Sequence, residues 1–184
     1  MKLPPQAKKV FTGVIFDVYQ WEQKLFDGST ATFEMPKRAD TADVIATTGD
    51  KILIISDEQP GRPAYWGLPG GRINPGEDPI ASAKREFLEE TGYTSSDWTP
   101  YSTEQPVGRI DWTIHTFIAK NITYKQDPHL DAGEKIKVFF ISFDEFLAKA
   151  YDLDFPLPKL LRQEMWAALK DKNKKTELKT KLGL

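Results

Sequence analysis

Glu86, Glu89 and Glu90 stand at spacings i, i+3 and i+4 in the stretch GRINPGEDPIASAKREFLEETGY, residues 71–93. On a helix, those spacings project the three carboxylates from one face, within a turn of one another. Like charges so close repel and destabilise the helix that carries them. A chain that concentrates them needs a cation to neutralise them, and a set of carboxylate oxygens suits Mg²⁺, with Mn²⁺ as the second candidate. The bland alternative for a run such as EFLEE is a solvated acidic face.

The flanking residues predict the helix that must hold these acids. Asp78 followed by Pro79 supplies an N-cap and a first-turn proline. Ile80, Ala83 and Phe87 form an apolar stripe at helical spacing, suited to packing on a sheet. Gly92 sits where a helix end takes a left-handed residue. The preceding loop, LPGGRINPGE, is rich in glycine and proline, so its backbone can turn tightly and approach a ligand. Cap, loop and spacing together outweigh the solvated-face reading.

The stretch resembles the Nudix box, G-x5-E-x7-R-E-U-x-E-E-x-G-U, with U a bulky apolar residue. Gly71, Glu77, Arg85, Glu86, Glu89, Glu90 and Gly92 fall on the fixed positions, with Phe87 and Tyr93 at the two U positions. Fixed matches of that number arise by chance at about one starting point in 10⁸. The resemblance implies an α/β (α+β) fold, the Nudix α/β/α sandwich around a mixed sheet, and hydrolysis of a nucleoside diphosphate linked to a second group. Carried over position by position, it implies Glu86 and Glu90 as the main metal ligands. Glu89 follows as a third ligand or a bridge through water, and the carbonyl of Gly70 or Gly71 as a backbone ligand. It also implies that Arg85 supports catalysis by holding Glu77 or Glu89 in orientation. For the general base, the loop DPHLDAGEKIKVFF offers Glu134, with Asp131 beside it; Glu89 is the alternative within the box.

Composition bounds the rest. The chain has 184 residues, 40% hydrophobic and 12% aromatic, which suits a globular domain with a real core. No apolar run reaches the length of a membrane span, and MKLPPQAKKV lacks the apolar segment of a signal peptide. Zero cysteines exclude disulfides and thiolate sites, and two histidines, His115 and His129, argue against a histidine metal site. The expectation is a cytoplasmic protein. A formal net charge of −2 gives no general pull toward nucleic acid. The lysine-rich stretch after Trp166 reads as a solvated helix face or frayed tail.

Around the helix the pattern is strand-rich. VFTGVIFDVYQWEQKLF and TATFEM read as extended segments joined at Asp27-Gly28, and DVIAT and KILIIS flank a turn at Thr48-Gly49-Asp50. Further strands are expected near Tyr65–Leu68, Ile73 and Trp98–Thr103, and over residues 112–119 and 136–142. SFDEFLAKAY begins with a serine cap at Ser142, and Leu160, Leu161, Met165, Ala168 and Leu169 recur at helical spacing from residue 157 on. Helices interspersed with strands imply layers of helix around a mixed sheet.

Residues 1–38 read as a strand-rich extension and 39–184 as the hydrolase domain. The extension is similar to the N-terminal region of ADP-ribose pyrophosphatases, which implies a homodimer and a share in the substrate site. Nucleobases stack on aromatic faces, so Trp21, Tyr19 or Phe16 are candidates for the base, with packing as the rival role. Arg38 and Arg72 are candidates for phosphate, and Arg109 for the distal sugar. Pro106-Val107-Gly108 interrupts a Pro-Gly pair usual in that branch, and Trp112 stands where an acid is frequent. The implied substrate therefore widens to nucleoside diphosphate sugars, either ADP-ribose or a hexose conjugate such as GDP-mannose. Rival readings are a pyrophosphatase acting on nucleoside triphosphates, dinucleoside polyphosphates or capped RNA, and a non-catalytic module that senses a nucleotide.

Overall fold

The computed structural model describes residues 1–184. Strands β1 (Lys8–Thr12), β2 (Asp17–Lys24) and β3 (Thr30–Lys37) form an antiparallel sheet of their own. The β2–β3 turn is held by Asp27, whose Oδ1 accepts from the Ser29 backbone N–H at 2.9 Å, and by Gly28 at φ +89°. The single extended run expected from residue 10 is broken at Gly13, whose N–H donates to the Phe16 carbonyl. A side chain at Gly13 would strike that carbonyl, so a tight turn rather than a continuous strand forms there.

The main sheet combines β4 (Thr41–Thr48), β5 (Lys51–Gln59), β6 (Arg62–Gly67), β7 (Gly70–Arg72), β9 (Asp97–Glu104), β10 (Ile114–Lys120) and β12 (Lys135–Ser142). Its central order is β12-β5-β4-β10-β9, with β6 beside β5 and β7 beside β4. The β4–β10 pair is parallel and the others antiparallel, a mixed sheet as expected. Two short strands, β8 (Tyr93–Thr94) and β11 (Thr123–Tyr124), pair separately.

Alternation along β4 divides the core. Ala42, Val44 and Ala46 face helix α1 (Pro79–Thr91), meeting Ala83 and Phe87 together with Leu53, Ile55 and Phe117. Ile45 faces the opposite layer, formed by α2 (Phe143–Ala148), a 3-10 turn at Lys149–Tyr151, α3 (Lys159–Lys170) and α4 (Lys172–Leu182). Ser142 caps α2 in a reciprocal box with Glu145. Leu161, Met165 and Ala168 bury the inner face of α3, whereas Leu160 and Leu169, expected in that stripe, lie at its exposed margins. The lysine-rich stretch is an ordered helix: Asp171 accepts from the backbone N–H groups of Asn173 and Lys174, and Leu178 and Leu182 anchor it to the core. No helix is long and apolar enough to cross a membrane.

β4 changes partners along its length. Thr41–Asp43 pair with β7, Ala46–Thr48 pair with β5, and at the changeover the Val44 N–H donates to the Pro69 carbonyl. The glycine-rich loop is thereby inserted into the sheet directly beneath α1.

Candidate active site

Local rules build the acidic helix as its sequence dictates. Asp78 accepts from the Ile80 N–H at 2.9 Å, Pro79 opens the first turn, and Gly92 closes the last at φ +76°. Phe87 and Ala83 are fully buried against the sheet, which turns Glu86, Glu89 and Glu90 toward the loop beside β7. Glycine is needed twice in that loop. A Cβ at Gly71 would strike the Glu86 carboxylate, and one at Gly70 would strike the Ala42 carbonyl.

Arg85 organises the acids. Its Nε and one terminal nitrogen bond both oxygens of Glu77, at 2.9 and 3.0 Å. Its other terminal nitrogen reaches Glu86 at 2.9 Å and Glu89 at 3.0 Å. It also donates to the Arg72 carbonyl at 3.1 Å. The Arg85 guanidinium, with help from the Asn74 N–H, holds the Glu77 carboxyl down at about 2. The acids in turn hold Arg85 firmly charged.

Glu90 is only 9% exposed, and its Oε2 accepts from the Gly70 N–H at 2.7 Å. Burial raises its pKa well above the ordinary value despite that bond, and Glu86, Glu134 and Asp57 push in the same direction. Burial likewise raises Glu86, against the pull of Arg85 and with repulsion from Glu89 and Glu134. Burial raises Glu134, in the turn before β12; the Asp131 backbone N–H, 3.4 Å from its Oε2, draws it down, the charges of Asp131 and Asp57 push it up, and Arg72 lowers it. The Glu134 backbone N–H donates to the Asp131 carbonyl at 3.0 Å. The late loop and the box helix thus bring their carboxylates within mutual electrostatic reach.

Among the expected substrate residues, Arg72 and Arg38 are brought together. Burial lowers the Arg38 guanidinium, and the charge of Arg72 lowers it further. Arg38 lies 4.5 Å from the Trp112 ring centroid, and its Nε is buried without a partner. Trp21 is 7% exposed in the separate β1–β3 sheet, its ring against Phe33 and its Nε1 donating to Gln23, so within one copy its face is covered. Arg109 is exposed in the turn before Asp111 and forms no ion pair. His115 Nδ1 lies 3.4 Å from the Thr103 hydroxyl, near the start of β10. Trp66 is partly exposed and pairs with Phe139 at 4.5 Å between centroids.

Two acids escaped the sequence reading. Asp57 on β5 and Asp43 on β4 both interrupt apolar strands, and period-2 alternation would have marked them as charges in a buried row. No three Asp, Glu or His side chains converge closely enough here to cage an ion, because Arg85 holds Glu86 and Glu89 while the Gly70 N–H holds Glu90. The donor set is nonetheless all oxygen and rich in negative charge, and one buried oxygen, Asp57 Oδ1, has no partner. That chemistry fits a hard divalent cation.

Two clefts lie elsewhere. One, of about 510 Å³, runs along Ser102–Gln105 and Lys159–Gln163; another, of about 430 Å³, lies between α2 and the α3–α4 junction. Neither includes a box carboxylate.

Comparison with known proteins agrees with this geometry. An ADP-ribose pyrophosphatase of Bacillus subtilis is 27% identical over 144 residues, covering 76% of this chain and 78% of that protein. A methanol dehydrogenase activator of Bacillus methanolicus is 27% identical over 147 residues, 77% and 79% of the two chains. An RNA pyrophosphohydrolase of Brucella ovis is 45% identical over 60 residues, 29% of this chain and 34% of that protein. The crystal structure of an ADP compounds hydrolase superposes with a TM-score of 0.69 at 18% identity, covering 83% of this chain and 84% of that one, a likeness of fold. The NUDIX domain family model matches residues 37–163. From the seven fixed residues of the box, their placement on a capped helix over a mixed sheet, and this match, the chain belongs to the NUDIX domain family of pyrophosphohydrolases.

Proposed function

We propose that the protein hydrolyses the pyrophosphate bond of nucleoside diphosphate sugars, ADP-ribose or a hexose conjugate such as GDP-mannose, to a nucleoside monophosphate and a sugar phosphate. The observation that supports this most directly is the gathering of Glu86, Glu90 and Glu134 from two separate elements into mutual repulsion. In this reading Glu86, Glu90 and Glu89, with the Gly70 carbonyl, would hold Mg²⁺ or Mn²⁺. The cation, when bound, neutralises the diphosphate and makes the attacking water more acidic. Glu134 would accept the proton from that water; burial raises its carboxyl above the ordinary carboxylate range, which favours a base. Arg72 and Arg38, the cationic pair beside the carboxylates, face the phosphates. Arg85 fixes Glu77 and restrains Glu86 and Glu89. The B. subtilis relative, an ADP-ribose pyrophosphatase matched over most of both chains, favours this substrate class.

We further propose a homodimer in the cytoplasm, in which the extension, residues 1–38, meets a second copy. Phe11, Val14, Ile15, Phe26 and Phe33 expose apolar surface there, and association would cover it. In the dimer Arg109 would contribute to substrate binding at its edge. Light scattering should give twice the mass of one chain; a monomer at micromolar concentration contradicts the dimer.

Incubation with Mg²⁺ and ADP-ribose, ADP-glucose, GDP-mannose, Ap4A or dGTP, followed by chromatography, tests the substrate class. The expected products are a nucleoside monophosphate and a sugar phosphate from the sugar conjugates. Pyrophosphate released from dGTP would move the enzyme to the triphosphate class, and no turnover would favour a sensing module. Glu90→Gln should lower kcat by orders of magnitude with the fold intact, because it removes a ligand charge.

A further inference from the structure

Asp57 is a buried carboxylate that the catalytic scheme leaves without a role. It is 5% exposed. Leu53 and Ile55 on β5 enter the core beneath α1, and alternation carries Asp57 to the same face at the end of that apolar row. There it stands across from Ile136 of β12 and Tyr65 of β6. Ile136 lies two residues beyond Glu134, so the strand register delivers Asp57 to the acidic loop as well as to the helix.

The Asp57 carboxylate has the Tyr65 phenol beside it and no cation paired to it. Oδ2 accepts from the Gln59 amide at 3.0 Å, whereas Oδ1 is buried with no partner. No lysine, arginine or histidine forms an ion pair with it. Lys135 is engaged by Glu58, Arg62 stacks on the Tyr65 ring at 4.0 Å, and Arg85 is engaged by Glu77, Glu86 and Glu89. Asp57 instead lies within electrostatic reach of two further carboxylates, Glu90 and Glu134. A buried, unpaired carboxylate beside two others is costly, and a bound cation removes that cost.

We propose that Asp57 Oδ1 is a further ligand of the divalent cation, joining Glu86 and Glu90 of α1 from a strand outside the box. The inference rests on the metal-dependent hydrolase reading and deepens it. Glu86 must exchange its bond to Arg85 for the ion, while Asp57 has a free oxygen already in place. Because β5 is a core strand, this ligand is fixed by the fold, whereas the glutamates are fixed by side-chain bonds.

Mn²⁺ titration of the metal-free full-length protein, followed by electron paramagnetic resonance of the free ion, tests this in wild type, Asp57→Asn and Glu58→Gln. Glu58 is the exposed neighbour paired to Lys135 and serves as the control. The expected result for Asp57→Asn is at least a tenfold loss of Mn²⁺ affinity, or one ion fewer per chain. Its melting temperature without metal should equal or exceed that of wild type, because an uncompensated charge has been removed. A merely structural aspartate would show the reverse: a lower metal-free melting temperature with unchanged Mn²⁺ binding. Should the asparagine variant fail to fold, Asp57→Ser is read by the same titration. Affinity and stoichiometry within twofold of wild type overturn the role of Asp57 and leave the hydrolase reading intact. Wild-type protein that takes up no Mn²⁺ overturns both.

Discussion

Replacing Asp43 by asparagine should change how stability depends on pH. Asp43 lies on β4, between Gly70 of β7 and Thr116 of β10, and forms no ion pair. Burial pushes its carboxyl from 3.8 up to about 7. Between those values the folded protein holds one proton more than the unfolded chain. Stability from this group is therefore full below pH 4, declines as pH rises, and levels off above pH 7. At about 1.4 kcal/mol per pH unit the decline amounts to about 4 kcal/mol, less whatever water reaching the carboxylate recovers. Asparagine has the same shape and no charge, so the variant should lose this slope and gain on wild type steadily between pH 4 and 7. Urea unfolding followed by tryptophan fluorescence, in chelator at several pH values, measures both curves. Parallel curves for the two proteins would refute the reasoning and mean that solvent or a neighbour already compensates the charge.

Other outcomes follow from packing and close approach. Phe87→Ala removes a fully buried ring that packs edge-on to Trp98, and chemical denaturation should show a loss of about 3–5 kcal/mol. Gly71→Ala puts a methyl group against the Glu86 carboxylate; circular dichroism should show a retained fold, and Mn²⁺ titration a loss of affinity of about tenfold or more.

The helix of the box was legible because each of its signals is local. Asp78, Pro79, the Ala83–Phe87 spacing and Gly92 each determine backbone within a turn of themselves, and all agree. The Asp27-Gly28 and Gly49-Asp50 turns were readable for the same reason. What depends on distant neighbours was not. The turn at Gly13 is set by the Phe16 carbonyl, in a run whose composition reads as uniformly extended. α4 carries so few apolar residues that its docking through Leu178 and Leu182 appears only once α3 is in place. In the site, Glu134 could be singled out by resemblance, but Asp57 and Asp43 could not, because their importance lies in which face of the sheet each occupies and what covers it. Trp21 shows the converse: an aromatic residue read as a platform for a base is enclosed by its own sheet.

The insertion of Gly70–Arg72 into the main sheet limits how this enzyme can vary. The segment is a ladder partner of the central strand, fastened at its ends by Val44 to Pro69 and by Ile73 to Asp40. Adding or deleting one residue there would reverse which side of the pleat each side chain occupies, sending Gly71 away from Glu86 and Arg72 away from its present side. Relatives sharing this architecture should therefore keep the three residues before Ile73 at a fixed length.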